Sequence, residues 1–198
     1  MYRISKRVFD LVSSLVMLVV LLPLFLVITI WILLDSRGGI FYKQIRVGKD
    51  GKEFTLLKFR SMTVGADKQG LITIGNDNRV TRSGRFIRKT KIDEFPQLIN
   101  IIKGDMSVVG PRPEVPKYVS LYTEEQKKVL SIRPGLTDLA SLKYFDEQKL
   151  LGESDDPEKT YRNEIMPKKL DLNLQYLAQQ SLFLDFKLIF STIFRIFK

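Results

Sequence analysis

The chain has 198 residues, enough for one domain with a modest core plus an appendage. Its 32 lysines and arginines against 22 aspartates and glutamates leave a net charge of +10. That excess points to an anionic partner: a phosphorylated substrate, a nucleic acid or an anionic membrane. With no cysteine and no histidine, disulfides, thiolate nucleophiles, cysteine-based zinc sites and histidine triads are excluded.

The first ten residues are basic, with Arg3, Lys6 and Arg7. The run from Leu11 to Leu34 is almost wholly apolar, broken only by Ser13, Ser14, Pro23 and Thr29. About 20 apolar residues cross a bilayer core, so the run is long enough for a membrane helix. It is a poor signal peptide, being too long and lacking a small-residue cleavage site. Pro23 sits near its midpoint, where the missing N–H kinks a helix. Basic residues flank both ends, Arg37, Lys43 and Arg46 among those that follow, and positive charge marks the cytoplasmic side. A hairpin that breaks at Pro23 and leaves by the face it entered satisfies both flanks; an ordinary kinked span is the alternative.

Residues 40–45 and 53–62 read as two strands joined by a turn over Lys49-Asp50-Gly51-Lys52. In that register Phe54, Leu56, Lys58 and Arg60 share a face, so Lys58 and Arg60 project together. Thr63 to Asn78 is polar and glycine-rich, a loop. Arg79, Arg82, Arg85 and Arg88 then recur every third residue and form a basic stripe if the chain is helical from about Ser83.

The stretch Lys91-Ile92-Asp93-Glu94-Phe95-Pro96-Gln97 reads as the start of a short helix closed by Gly104. Asp93 is placed to cap it, Pro96 falls in a tolerant first turn, and Leu98, Ile101 and Ile102 form a docking stripe. Two adjacent carboxylates among this many cations can hold a divalent metal or attack an electron-poor phosphorus; an N-capped helix with surface salt bridges is the plainer reading. Gly110-Pro111-Arg112-Pro113 is a rigid turn whose two prolines preorganise Arg112 as a phosphate clamp. Arg133-Pro134-Gly135-Leu136-Thr137 is a second rigid turn. Tyr118 to Leu130 reads as an exposed helix and Lys143 to Asp156 as a charged surface loop. Lys168 to Tyr176 suits strand and helix equally. Leu182 to Lys198 reads as an amphipathic helix at a membrane interface, with a core-docking helix as the alternative. There is no internal repeat, P-loop, dinucleotide fingerprint, zinc spacing or single-strand nucleic-acid pattern.

Several ordered segments resemble the bacterial sugar transferase family, the small monotopic phosphoglycosyl transferases. They are Lys6-Arg7-Val8-Phe9-Asp10, Lys58-Phe59-Arg60-Ser61-Met62, the run from Arg79 to Thr90, Asp93-Glu94-Phe95-Pro96-Gln97-Leu98, the run from Lys103 to Pro113, and the second rigid turn. The resemblance implies an α+β fold with a re-entrant membrane helix over 1–36 and a catalytic domain over 37–198 that faces the cytoplasm of a bacterial inner membrane. It implies transfer of a sugar-1-phosphate from a UDP-sugar to polyprenol phosphate, with UMP released and Mg²⁺ required. By the same resemblance Asp93 is the nucleophile and a metal ligand, and Glu94 assists proton removal. Lys58, Arg88 and Arg112 bind phosphate, no nucleic acid is a partner, and homodimer formation stays open. Two positions depart from the common pattern: Leu22 replaces a serine before the hairpin proline, and Asp138-Leu139-Ala140-Ser141 replaces Gly-Leu-Ala-Gln. A membrane-anchored polyanion-binding module and a metal-dependent phosphohydrolase are the rival classes.

Overall fold

The computed structural model describes residues 2–70, 73 and 77–197. Residues 71–72 and 74–76 of the expected loop, with the first and last residues of the chain, lie outside the described part. The described part of that loop includes a short 3₁₀ turn over Ala66–Gln69. Helices dominate, with two small two-stranded sheets, so the expected mixture of helix and strand holds.

The apolar run forms two helices, α1 (Tyr2–Val20) and α2 (Leu22–Asp35), bent by 61° across the one residue between them. Pro23 is in the first turn of α2, where its missing N–H is no loss to that helix but ends the ladder of α1. Among the described residues no single helix is long and apolar enough to cross a membrane, whereas the bent pair passes by length and composition. One face of the pair packs inward: Ile28 and Ile32 are buried with Phe59 and Ile87. The other leaves Val8, Leu15, Val16, Leu26, Val27 and Ile30 exposed, more contiguous apolar surface than a monomer normally shows to water.

Strands β1 (Phe41–Val47) and β2 (Glu53–Phe59) pair antiparallel, with Tyr42 opposite Lys58. The turn falls where expected, using Asp50 at φ 57° and Gly51 at φ 75°. β2 stops at Phe59, short of the expected Met62. Arg60 still bonds back to Ile40 through its N–H at 2.8 Å, but its side chain turns toward the end of α2 rather than alongside Lys58. Helix α3 (Arg82–Lys89) is capped by Thr81, whose Oγ1 accepts from the Gly84 N–H at 3.0 Å. Arg79 is therefore outside the helix. Its guanidinium is bound to Asp77 and to the carbonyls of Ala66 and Gly70, which removes it from the basic stripe.

Helix α4 (Gln97–Lys103) ends on Gly104 at φ 96°, as its sequence requires. Leu98 and Ile101 of the expected stripe are buried, joined by Met106 and Leu56. Short parallel strands β3 (Ser107–Val109) and β4 (Gly135–Thr137) bring the two rigid turns together. A Cβ on Gly135 would lie 2.1 Å from the Gly110 nitrogen, so no other residue fits that approach.

The remaining chain departs from expectation in two places. Residues 116–131 form α5 (Pro116–Val119), α6 (Glu124–Lys127) and a 3₁₀ turn rather than one exposed helix, because Tyr118, Tyr122 and Val129 are drawn into a core. Residues 143–156 are not a plain loop. After α7 (Leu139–Lys143) comes α8 (Glu147–Gly152), which buries Leu151 in that core. After α9 (Pro157–Thr160), α10 (Met166–Ala178) settles the ambiguous leucines as helical, with Leu170, Leu172 and Tyr176 inward. Helix α11 (Leu182–Phe197) makes the tail an amphipathic helix, as expected, and docks on the core. Asp185 and Leu188 dock it, while Phe183, Phe186, Phe190 and Phe194 stay exposed. Buried Asp185 accepts hydrogen bonds from Tyr2 Oη at 3.0 Å, Lys6 Nζ at 2.9 Å and Tyr176 Oη at 2.6 Å, tying α11 to the foot of α1.

Candidate active site

Between α3 and α4 the chain turns through Lys91 at φ 58° and enters a 3₁₀ turn over Ile92–Glu94. A lysine in that conformation is strained by about 1 kcal/mol, the scale for a non-glycine left-handed residue. Asp93 does not cap α4, whose N-terminal flank is Pro96. The turn directs both carboxylates inward instead, and they are only 6% and 9% exposed.

Buried carboxylates need partners, and the two find different ones. Glu94 receives Lys58 Nζ at 2.8 Å and the fork of Arg112, Nη1 at 3.2 Å with Nη2 on the other oxygen. Burial alone would push its carboxyl up, but Arg112 and Lys58 outweigh that and hold it well below the usual carboxylate range. Asp93 accepts no hydrogen bond from the described residues. Burial, reinforced by the charge on Glu94, pushes its carboxyl up against the pull of Lys58 and Arg88. Lys58 is itself pushed down, first by burial. Two neighbouring acids with oppositely displaced proton affinities are the signature of divided roles in catalysis.

The supports reach beyond the residues that sequence reading singled out. Asn100 on α4 donates to the Thr55 carbonyl at 2.8 Å and to Asp105 at 3.1 Å, and accepts from the Leu57 N–H at 3.1 Å. It fastens β2 to α4 and so sets the reach of Lys58 to Glu94. Arg46 donates to the Pro113 carbonyl at 2.9 Å and to Glu114 at 3.2 Å, and Tyr161 Oη donates to the same Glu114 side chain. With Gly135 N–H on the Pro111 carbonyl at 2.9 Å, the backbone of Arg112 is held from both sides. Arg112 therefore spends its fork on Glu94 rather than presenting it open. Asn100 and Glu114 gave no sequence signal beyond their types, and Arg46 only that of a basic flank, because their value lies in partners far along the chain. The Asp138-Ser141 departure acquires a local reason: Asp138 caps α7 by accepting from the Ser141 N–H at 2.8 Å.

Lys58, Arg88, Asp93, Glu94 and Arg112 line one open cleft of about 1640 Å³ that extends to Met17 and Leu21 at the bend between α1 and α2. Pro23 shapes that bend from outside the lining. Among the described residues no three acidic side chains converge on a metal site. A Mg²⁺ cage built by protein alone is therefore not offered, but Mg²⁺ commonly takes one or two carboxylates plus substrate phosphates. Asp93, with no donor on its oxygens, fits that lesser demand.

Arg112→Lys tests the fork. It keeps the charge but loses the bidentate contact, so kcat/KM for the donor is expected to fall about tenfold or more, the size of one good charge-assisted hydrogen bond. Steady-state kinetics near wild type would show that the fork of Arg112 on Glu94 is not needed for turnover.

Fold and site together define a class: a protein with an apolar bent helix pair beside a cleft in which a buried carboxylate pair meets Lys58 and Arg112. The chain belongs to the bacterial sugar transferase family, whose model matches residues 1–198. It is 38% identical over 191 residues to the uncharacterized sugar transferase EpsL of Bacillus subtilis, covering 96% of this chain and 86% of that one. It is 36% identical over 196 residues to the UDP-glucose:undecaprenyl-phosphate glucose-1-phosphate transferase of Klebsiella pneumoniae, covering 97% of this chain but 40% of that enzyme. The exopolysaccharide production protein ExoY of Rhizobium meliloti matches at 34% identity, covering 96% of this chain and 84% of its own length.

Proposed function

We propose that the protein transfers a sugar-1-phosphate from a UDP-sugar to polyprenol (undecaprenyl) phosphate and releases UMP, the first membrane step in assembling an exopolysaccharide or other glycoconjugate. The observation that carries this is the divided carboxylate pair: Asp93 without a hydrogen-bond donor, Glu94 clamped by Lys58 and Arg112. The glucose-1-phosphate transfer for which the Klebsiella relative is named agrees with it.

An Asp93 oxygen attacks the phosphorus attached to the sugar. The bridging P–O bond breaks and UMP leaves, which puts the phosphosugar on Asp93 as a mixed anhydride. An oxygen of polyprenol phosphate then attacks the same phosphorus and returns Asp93 as a carboxylate. Glu94 is held by Lys58 and Arg112, the cations that a phosphate would use. An arriving diphosphate competes for those cations, and Glu94, relieved of them, gains proton affinity and can take the proton from the lipid phosphate. Arg88 faces Asp93 electrostatically and has no ion-pair partner among the described residues, which leaves it available to the donor. Mg²⁺, when bound by Asp93 and the donor's phosphates, would neutralise the charge that builds on the leaving UMP.

The acceptor is a lipid, and the apolar outer faces explain how it is met. Phe186 of α11 packs edge-on against Phe9 of α1 at 5.1 Å, so the two exposed apolar faces meet at that point. Seating them in the cytoplasmic membrane, with residues 1–36 as re-entrant anchor and 37–198 on the cytoplasmic side, sets the cleft at headgroup depth. Incubating protein with UDP-sugars and measuring UMP, with and without polyprenol phosphate, tests the activity. Multiple turnovers that require the lipid are expected; equal release without it would make the protein a phosphohydrolase, and no release with any donor a binding module.

Topology has its own test. The chain has no cysteine, so Ser5→Cys reports one site. In intact cells it is expected to be shielded from a membrane-impermeant thiol reagent, and a Pro23→Leu variant should label in part as α1 and α2 straighten into a span. External labelling with Pro23 intact would show that the segment simply crosses.

A further inference from the structure

The end of α2 does more than leave the apolar layer. Its last residue, Asp35, accepts through one carboxylate oxygen from both the N–H and the Oγ of Ser83, each at 2.8 Å. Ser83 is fully buried in the first turn of α3, the helix that bears Arg88 at its other end. The next residue, Ser36, accepts from the Nη2 of Arg60 through its carbonyl at 2.7 Å and its Oγ at 3.0 Å. Arg60 is 6% exposed and follows Lys58 by two residues. Its Nε and Nη1 have no partner among the described residues, a costly state for a buried guanidinium that its single anchored amino group must justify.

The packing around these bonds is tight. Ile28 and Ile32 of α2 are buried against Ile87 of α3 and Phe59 of β2, and Trp31 lies 5.4 Å from the Phe86 ring. Gly84 presses on the chain after β2 so closely that a Cβ there would sit 1.9 Å from the Ser61 carbonyl oxygen. Two consecutive residues at one helix end thus hold the bases of two of the elements that deliver cations to the cleft, the strand of Lys58 and the helix of Arg88.

We propose that the C-terminal end of α2 is a positioning device for the phosphate site, in which Asp35 places Arg88 through Ser83 and Ser36 places Lys58 through Arg60. The inference rests on the reading above that Lys58 and Arg88 meet the donor's phosphates. It makes the seat of α2 a determinant of donor binding, which a passive anchor would not be.

A double-mutant cycle on the full chain in detergent tests it, with UDP affinity as the main readout and UMP release beside it. Asp35→Ala and Arg88→Ala should each weaken UDP about tenfold, one charge-assisted contact each. If Asp35 acts through Arg88, the double variant should be little worse than Arg88→Ala alone, not the roughly hundredfold that independent losses would give. Asp35→Asn can accept both Ser83 bonds at one oxygen and should bind UDP within about threefold of wild type. Independent, multiplying losses would overturn the proposal, as would Asp35→Asn failing like Asp35→Ala. Should Asp35→Ala not fold, Ser83→Ala in the same cycle decides it. UDP bound without UMP release would sink the transferase reading and leave the cycle interpretable; no UDP binding by wild type would sink both.

Discussion

Asp93→Asn is expected to abolish turnover while leaving the fold intact. Intact-mass analysis after incubation with donor alone should find a phosphosugar adduct on wild type and none on the variant. The substitution is nearly isosteric, and Asp93 accepts no hydrogen bond from the described residues, so little packing is lost. The sign of its stability effect follows from the raised proton affinity of Asp93, which burial causes first and Glu94 second. A carboxyl raised on folding favours the folded state less once pH exceeds the ordinary carboxylate value, because the buried anion is the form disfavoured. At neutral pH the variant should therefore melt at the same temperature as wild type or higher. An adduct persisting on Asp93→Asn would sink the nucleophile assignment.

Glu94→Gln should be nearly as damaging to catalysis and opposite in its effect on stability. Losing a general base typically costs about 10²–10⁴ in rate, so turnover should fall by at least about a hundredfold. The variant also leaves Lys58 and Arg112 without their anion, which should cost about 2 kcal/mol, on the scale of hydrogen bonds to charged groups. Glu94 is depressed on folding: Arg112 and Lys58 overcome the opposing effect of burial. Its contribution is thus complete above the ordinary carboxylate value and lost as pH falls through the depressed one. Wild type should lose this share of stability progressively as pH falls below the ordinary carboxylate value, and the variant should lack it at all pH. The same change removes a negative charge beside Asp93, so the acid limb of adduct formation should move to lower pH. A Glu94→Gln enzyme with wild-type turnover and an unmoved acid limb would remove Glu94 from the chemistry.

Much of the site was legible because its residues are local and chemically conspicuous. In a chain without cysteine or histidine, adjacent Asp93 and Glu94 draw notice at once, and the prolines around Arg112 announce a rigid turn. The structure brings these residues into one cleft with Lys58 and Arg88. What misled was periodicity read without its surroundings. Arg79 keeps the spacing of the basic stripe but is captured by Asp77, since the helix begins only after Thr81. Arg60 alternates with Lys58 on paper, yet β2 ends between them and the two side chains part. Tyr118 and Tyr122 look like one side of an exposed helix, and Leu151 like a stray apolar residue in a charged loop, until the core formed with Tyr161 and Leu170 claims all three.

The sequence by itself determined the apolar run and its break near Pro23, the hairpin turn, the stop of α4 at Gly104 and the residue types of the candidate site. Each of these follows from a local rule: hydrophobic length, a missing N–H, or a backbone angle that glycine reaches without strain. Tertiary structure alone decided which cation meets which carboxylate. The contacts Lys58 to Glu94, Arg112 to Glu94, Asp35 to Ser83 and Arg46 to Pro113 join segments 18 to 67 residues apart. Burial, which no local pattern reports, then separates two adjacent acids by desolvating both while supplying hydrogen-bonding cations to only one.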